Sequence, residues 1–264
     1  MERKSMSHVH NLLEAYAEVG TDPPDWAYPS HASIPFIGKN YGRWNGVIVY
    51  ASAENLAQYE REPETLPDYF NDDRILNRHR TAFECDSNRN FFRHVHMAPF
   101  DNGSLIVAAS YFIWRQHGEM IDEPVDLLES IAVANFCKYS ISGKVNKDYA
   151  GDTIKLTHSI PYVMADVGQL QPSVVLMPNS ILKKKAVRDS VREAFPHTSF
   201  VGIPQFNSTV VNTHLKKHAD RAAQLEVELE GTSLARWIDN LTGYASGYPY
   251  RYLVEIDEVL AGSN

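Results

Sequence analysis

The feature that most restricts the fold of this chain is a set of short, β-rich apolar runs that alternate with segments of helical spacing. Strands buried on both faces of a sheet have continuous apolar character of this kind, whereas strands with one solvated face alternate apolar and polar residues. Buried strands joined through helices form a parallel sheet that is covered on both sides. The sequence therefore predicts a three-layer α/β/α protein around a central, mostly parallel four-stranded sheet. The four predicted strands are Gly46–Ala51, Ser130–Phe136, Pro172–Pro178 and Ser199–Ile203.

Helical spacing of apolar residues predicts the segments that join and flank these strands. A helix after the first strand is expected to begin at Ser52 or Glu54 and to end near Glu62, before Pro63. Residues 34–45 are expected to be irregular, and residues 68–100 have no pattern that favours one structure. The other predicted helices cover residues 8–19, 104–117, 152–169 and 179–194, and a long helix runs from about Asn207 or Asn212 to Glu230.

Length and composition favour one large domain. The chain has 264 residues, of which 44% are hydrophobic, so it can bury a full core. We expect a single α/β domain over residues 1–264. Residues 1–33 form its N-terminal helix and lead-in, and residues 236–264 form an aromatic C-terminal extension.

Cysteine content and hydropathy exclude several classes of protein. Cys85 and Cys137 are the only two cysteines, too few for a disulfide framework, a four-thiolate metal site or an iron–sulfur cluster. No apolar run approaches the roughly 20 residues that a membrane span needs, and no signal peptide is evident at the N-terminus. We therefore expect a cytoplasmic protein that has no membrane partner.

The loop after the first strand argues against nucleotide cofactors. Ala51–Asn55 reads Ala-Ser-Ala-Glu-Asn, with none of the glycines that cradle a phosphate group. A nucleophile elbow and a Cys-His pair with local support are also missing. The spacing His94-Val-His96 would place two imidazoles on one side of an extended segment, and a metal site and a surface or packing role are the alternatives. We expect no cofactor and no metal.

The charge of the chain allows two opposite interpretations. The formal net charge is −8, whereas surfaces that bind nucleic acid are usually basic. The basic residues, however, gather in groups that follow predicted strands, while much of the acid lies elsewhere. Solvated helix faces are the alternative explanation for these groups. They contain Lys138 with Lys144 and Lys147, Lys183, Lys184 and Lys185 with Arg188 and Arg192, and Lys216 and Lys217 with Arg221.

Polar residues follow the predicted strands where ligands bind in such folds, at the carboxyl ends of the strands. Glu54 and Asn55 follow the first strand, Asn135 and Lys138 lie at the end of the second, and a polar segment with His214 follows the fourth. We expect these side chains to lie near one edge of the sheet.

The order of these segments resembles that of the uracil-DNA glycosylase superfamily across most of the chain. That superfamily has an irregular lead-in, a first strand that ends in a water-activating motif and a middle strand that ends in a base-reading Asn. A Val-Val strand and a last strand with a His/Ser loop follow. The matching segments here are Ile34–Tyr41, Val47–Asn55, Ala134–Tyr139, Leu170–Met177 and Ile203–Thr209.

The resemblance implies a role for each candidate residue. Asn135 would read the base through its amide, which offers a donor and an acceptor, and Ser52 and Phe136 would line the base pocket. Glu54, with Asn55 as its nearby substitute, would stabilise the sugar cation and orient water, and His214 would stabilise the departing base. Helix and turn capping are the structural alternatives for Glu54 and Asn135. The implied contacts to double-stranded DNA are Lys138, Lys183, Lys184, Lys185, Gln205, Phe206, Asn207, Ser208, Lys216 and Lys217.

Departures from the family pattern point to a substrate other than plain uracil. The first motif lacks Gly-x-x-Pro, the last lacks His-Pro-Ser, and Ala51, Ser52 and Ala53 leave room for a larger base. The chain is similar to antiphage glycosylases that remove glucosylated hydroxymethylcytosine. The implied function is a DNA glycosylase acting on a modified pyrimidine in repair or phage defence. A small-molecule nucleoside or nucleotide hydrolase and a catalytically silent nucleic-acid-binding module are the alternatives.

Overall fold

A five-stranded sheet forms the centre of the protein. The computed structural model describes residues 6–19, 36–37, 44–51, 102–118, 130–138, 156–204, 209–236 and 250–262. The strands are β1 (Phe36–Ile37), β2 (Val47–Ala51), β3 (Ala132–Asn135), β4 (Val174–Pro178) and β5 (Ser199–Ile203), in the order β1-β3-β2-β4-β5. Strands β2 to β5 are parallel to one another, which confirms the predicted sheet of four parallel strands. The short β1 pairs antiparallel with β3, in a segment that was expected to be irregular.

Helices cover both faces of the sheet. Proline explains the late start of α3, which was predicted to begin at residue 152. Pro161 lies in its first turn, the one place where a missing backbone N–H costs no helical hydrogen bond. The helices are α1 (Met6–Val19), α2 (Asn102–His117), α3 (Ile160–Leu170), α4 (Asn179–Leu182), α5 (Lys185–Ala194), α6 (Ala219–Leu229) and α7 (Tyr250–Ala261).

Two of the predicted helices are divided in the structure. The segment after β4 is split into α4 and α5 at residues 183–184, where the extended backbone of Lys184 interrupts the helix. The long helix predicted after β5 consists of a π-helix at Val210–His214, a 3-10 turn at Lys216–His218 and then α6. The predicted helix after β2 lies outside the described residues. In the described part of the chain, no helix combines the length and apolar composition that crossing a membrane requires.

The alternation of side chains along each strand divides the core into two parts. Val47 and Val49 of β2 point to one face, where they pack with α2, α6 and α7. Ile48 and Tyr50 point to the other face, where they pack with α1, α3 and α5. Because successive residues of a strand point to opposite faces, a strand that is apolar throughout supplies both cores. This arrangement confirms the predicted three layers.

Two glycines provide a test of this packing. A β carbon added at Gly202 in β5 would lie 3.0 Å from Asn179 Oδ1 and 3.3 Å from Asn179 Cα, so α4 and β5 approach closely there. A β carbon at Gly168, on the exposed side of α3, would meet no heavy atom of the described residues within 4 Å.

We predict opposite effects of alanine at these two positions. Gly202→Ala forces α4 away from the sheet and should lower the free energy of unfolding by about 1–3 kcal/mol. Gly168→Ala should raise it by up to about 1 kcal/mol, because alanine favours the helix over glycine. Urea unfolding of both variants measures the difference. A Gly202→Ala protein as stable as the wild type would contradict the close contact between α4 and β5.

Candidate functional site

The strand order locates the most favourable place for a ligand. In doubly wound sheets, ligands bind outside the carboxyl ends of the strands, at the point where the direction of strand addition reverses. Here the chain adds β3 on one side of β2 and then β4 on the other, so this point lies between β2 and β4. Ala51 and Pro178 are the last residues of these two strands. We call this end of the sheet the carboxyl edge.

Asn135 lies at the carboxyl edge. It is the last residue of β3, is half-buried, and is the register partner of Ala51 in β2. The chain continues from Ala51 toward Ser52, Glu54 and Asn55, which themselves lie outside the described residues. The parallel register thus places Asn135, at the end of β3, beside the end of β2, from which the chain continues toward Glu54.

Phe136 does not line a base pocket, which corrects its predicted role. Its side chain is completely buried in the core on the α1 face of the sheet. The ring meets that of Tyr50 edge to face, with centroids 6.0 Å apart. A ring so enclosed has no face on which a base can stack. It instead fixes the direction in which the chain leaves β3.

Lys138 is also buried, so the prediction that it contacts DNA is wrong. Its side chain has 0% exposure, and its Nζ donates a hydrogen bond of 2.6 Å to Asp166 Oδ2. The hydroxyls of Tyr16 and Tyr50 donate to the same carboxylate, the second over 2.7 Å. We call Tyr16, Tyr50, Lys138 and Asp166 the Asp166 cluster. Phosphate cannot reach an ammonium group held in this way.

Burial dominates the electrostatics of the Asp166 cluster. It raises the pKa of Asp166, while the Lys138 ammonium and the two tyrosine hydroxyls oppose this shift by stabilising the carboxylate. Burial, together with the charge of Asp166, raises the pKa of both tyrosines, which therefore stay protonated as donors. The sequence carries one signal of this cluster that was missed. Asp166 lies among the apolar positions of α3, three residues after Val163 and four before Leu170, where a charge needs a buried partner.

The surface lysines near the carboxyl edge form two groups of different character. Lys183 and Lys185 are exposed and Lys184 is half-buried, at the junction of α4 and α5. Helix α4 begins directly after β4 and has four residues, so this junction is about 6 Å of helical rise from the strand end. Val187 and Val191 anchor α5 in the core, which leaves its basic side toward solvent.

The second group is largely neutralised. Lys216 and Lys217 are exposed, but Lys217 Nζ lies 3.4 Å from carboxylate oxygens of both Glu255 and Glu258. The ammonium of Lys217, which was expected to contact a phosphate, thus already has two acidic partners. His214 is exposed at the end of the π-helix, and Gln205, Phe206, Asn207 and Ser208 lie outside the described residues.

One group of the described residues has the composition of a cation site. The side chains of His218, Glu255 and Glu258 bring their ligand atoms within 4.8 Å of one another. His218 Nε2 lies 2.7 Å from Glu255 Oε2, and Lys217 contacts both carboxylates. An imidazole and two carboxylates suit a divalent transition metal, but Lys217 already supplies the compensating positive charge. We interpret the group as an ion-pair network that joins α7 to the segment before α6.

A second network holds α7 to α2. Arg115 Nη2 donates to Asp257 Oδ2 over 2.9 Å, and the Tyr111 hydroxyl donates to the same oxygen over 2.8 Å. The guanidinium also lies 5.1 Å from the ring centroid of Trp114. The C-terminal extension, predicted only as an aromatic segment, is therefore bound to the core by ionic contacts on two sides.

We predict a pH-dependent contribution from Glu255. Burial raises the pKa of this carboxyl, but His218 and Lys217 outweigh burial and lower it below its ordinary value of 4.5. The resulting stabilisation is present above pH 4.5 and is lost as the pH falls through the lowered pKa. Glu255→Gln should therefore lower the free energy of unfolding by about 0.5–1 kcal/mol at pH 7, after allowance for solvent screening.

Urea titrations at several pH values measure this effect. The difference between wild type and Glu255→Gln should shrink as the pH falls below the pKa of Glu255. Glu226→Gln, the same change at an exposed position of α6, is the matched control and should have little effect at any pH. Equal stabilities of wild type and Glu255→Gln at neutral pH would contradict the network.

Comparison with known proteins does not extend this description. No protein-family model matches the chain, and neither a curated protein nor a solved structure is significantly similar to it.

Proposed function

We propose that this chain is a DNA glycosylase that extrudes a modified pyrimidine from the duplex and hydrolyses its N-glycosidic bond, leaving an abasic site. The single observation that carries the proposal is the register that pairs Asn135 with Ala51. It sets a base-reading amide beside the strand end from which the chain continues to Glu54 and Asn55. Two such groups at neighbouring strand ends are what a flipped nucleotide requires.

The proposed chemistry divides between the two strand ends. The Asn135 amide pairs with the edge of the extruded pyrimidine, because it offers both a donor and an acceptor. Glu54 stabilises the positive charge that develops on the sugar as the bond to the base breaks, and it orients water for attack at the anomeric carbon. Asn55 is the alternative to Glu54 for this role. His214 stabilises the departing base.

The fold supports a uracil-DNA glycosylase-like assignment. Four motif segments each overlap one of four parallel strands whose carboxyl ends lie at one edge of the sheet: Val47–Asn55 overlaps β2, Ala134–Tyr139 β3, Leu170–Met177 β4 and Ile203–Thr209 β5. A site assembled from strand ends needs this arrangement. The small side chains of Ala51, Ser52 and Ala53 favour a base larger than uracil, such as glucosylated hydroxymethylcytosine, and hence a role in phage defence or repair.

A panel of duplexes tests the proposed activity. Duplexes with uracil, hydroxymethylcytosine or glucosylated hydroxymethylcytosine are incubated with the protein, and alkali then reveals abasic sites. We expect cleavage of at least one duplex, and a loss of about 100-fold or more in rate for Glu54→Gln and for Asn135→Ala. Glu226→Gln and Gln169→Ala, at exposed positions of α6 and α3, are the matched controls and should cut as the wild type does.

Two results would refute the assignment. If no duplex acquires abasic sites, the chain is not a glycosylase for these bases. If Glu54→Gln and Asn135→Ala both cut at the wild-type rate, the activity lies at another site.

Salt dependence tests the proposed DNA surface. Each phosphate contact contributes about 0.9 to the slope of log affinity against log salt concentration. Lys185→Ala should therefore reduce the slope by about 0.9, and the double variant Lys183→Ala/Lys185→Ala by about 1.8. Lys217→Ala is the control, because the Lys217 ammonium already forms ion pairs with Glu255 and Glu258. The slope for this variant should equal that of the wild type. Fluorescence anisotropy with one duplex gives all four slopes.

The net charge of −8 favours a second candidate, a hydrolase of free nucleosides or nucleotides. Such an enzyme releases base from small substrates and binds duplex DNA with no steep dependence on salt. A silent nucleic-acid-binding module, in contrast, shows the salt dependence without abasic sites.

A further inference from the structure

A single carboxylate is bound to the ends of the two strands that carry the proposed site. Tyr50 is the residue before Ala51, and its hydroxyl donates a hydrogen bond of 2.7 Å to Asp166 Oδ2. Lys138 comes three residues after Asn135, and its Nζ donates a hydrogen bond of 2.6 Å to the same oxygen. Asp166 therefore joins the end of β2 to the chain that leaves β3, across the face covered by α3.

The chain that leaves β3 is held at several points. Phe136, Cys137 and Lys138 are each completely buried. The Lys138 backbone N–H also donates a hydrogen bond of 2.9 Å to Ser159 Oγ, at the start of α3. Asn135 is thus followed by three residues with no freedom to turn toward solvent, and this segment is attached to α3 through both backbone and side chain.

The cost of the Asp166 cluster indicates that geometry is its main contribution. Removing an ammonium and a carboxylate from water is expensive, and apolar residues of similar volume are often as stabilising or more so. A core that needed only stability could therefore use apolar side chains at these two positions. Directed hydrogen bonds, in contrast to apolar contacts, fix the distance between the groups that they join.

We propose that Asp166 is a positioning residue that holds the chain leaving β3 against the end of β2, and so fixes the direction in which the Asn135 amide is presented at the carboxyl edge. The inference rests on the proposed function for its catalytic consequence. Asp166 and Lys138 do not touch the base, since both are fully buried. They act through Tyr50 and through the segment 136–138.

The decisive variant replaces both charges at once. Asp166→Leu/Lys138→Met removes the ion pair without leaving an unpaired buried charge, so the protein should fold. Its unfolding midpoint should be lower than that of the wild type, because the hydroxyls of Tyr16 and Tyr50 lose this acceptor. Asp166→Asn alone leaves Lys138 uncompensated and should be less stable. Asp257→Asn, which breaks the remote contact to Arg115, is the matched control for loss of a structural ion pair.

Two measurements are made on each variant. The first is the single-turnover rate and the Kd for the duplex that the wild type cuts. We expect the double variant to be at least 10-fold slower with an unchanged Kd, and Asp257→Asn to keep the wild-type rate. The second is amide hydrogen exchange of peptides covering 47–51 and 132–138. We expect it to be at least 10-fold faster in the double variant, while the peptide covering 174–178 is unchanged.

The outcomes separate this inference from the proposed function. If the wild type cuts a duplex and the double variant cuts it equally fast, the positioning role is refuted whatever the exchange result, and the glycosylase stands. If the wild type cuts no duplex, the glycosylase fails, and hydrogen exchange alone decides the structural part. Unchanged exchange at both strand ends would then refute the role of Asp166 as well.

Discussion

Burial of Val47–Tyr50, four residues of the central strand β2, constrains the rest of the fold. This strand has β3 on one side and β4 on the other, and its alternating side chains enter both cores. No polar side chain fits there unless its hydrogen bonds are satisfied inside the protein. Tyr50 meets this condition, because its ring packs in the core while its hydroxyl donates to Asp166. The central strand thereby fixes both the layered architecture and the position of Asp166, a buried carboxylate on that face.

Charged groups serve two different purposes in this protein. The networks of Arg115 and of His218 lie at partly exposed places and bind α7 to α2 and to the segment before α6. Solvent screens such contacts, so each adds little to stability, and together they fix where α7 lies. Asp166, Lys138 and Tyr50 have no exposure, and burial of the two charges is costly, so the geometry of their hydrogen bonds matters more than their strength.

The motif around the end of β3 predicted the position of Asn135 but not the directions of Phe136 and Lys138. The pattern of apolar runs is sufficient to predict that Asn135 and Ala51 lie at one edge of the sheet, whereas their pairing as neighbours follows from the strand order. Phe136 and Lys138 were predicted from the same motif to face a base and a phosphate, and both predictions are wrong. Residues beyond the end of a strand no longer follow its alternation, so their direction depends on what packs beside them. For Lys138 that neighbour is Asp166, 28 residues later in the chain.

Local sequence patterns account for the four parallel strands, the helices α1 and α2, and the common edge at which the polar loops begin. These follow from local periodicity and from the need to bury apolar runs. The pairing of charges, in contrast, depends on contacts between residues that are far apart in the chain. Lys138 meets Asp166 inside the core and Lys217 meets Glu255 on the surface, while Lys183 and Lys185 remain exposed. All four lysines follow predicted strands, and the physical difference lies in the distant carboxylates that folding brings within reach of Lys138 and Lys217.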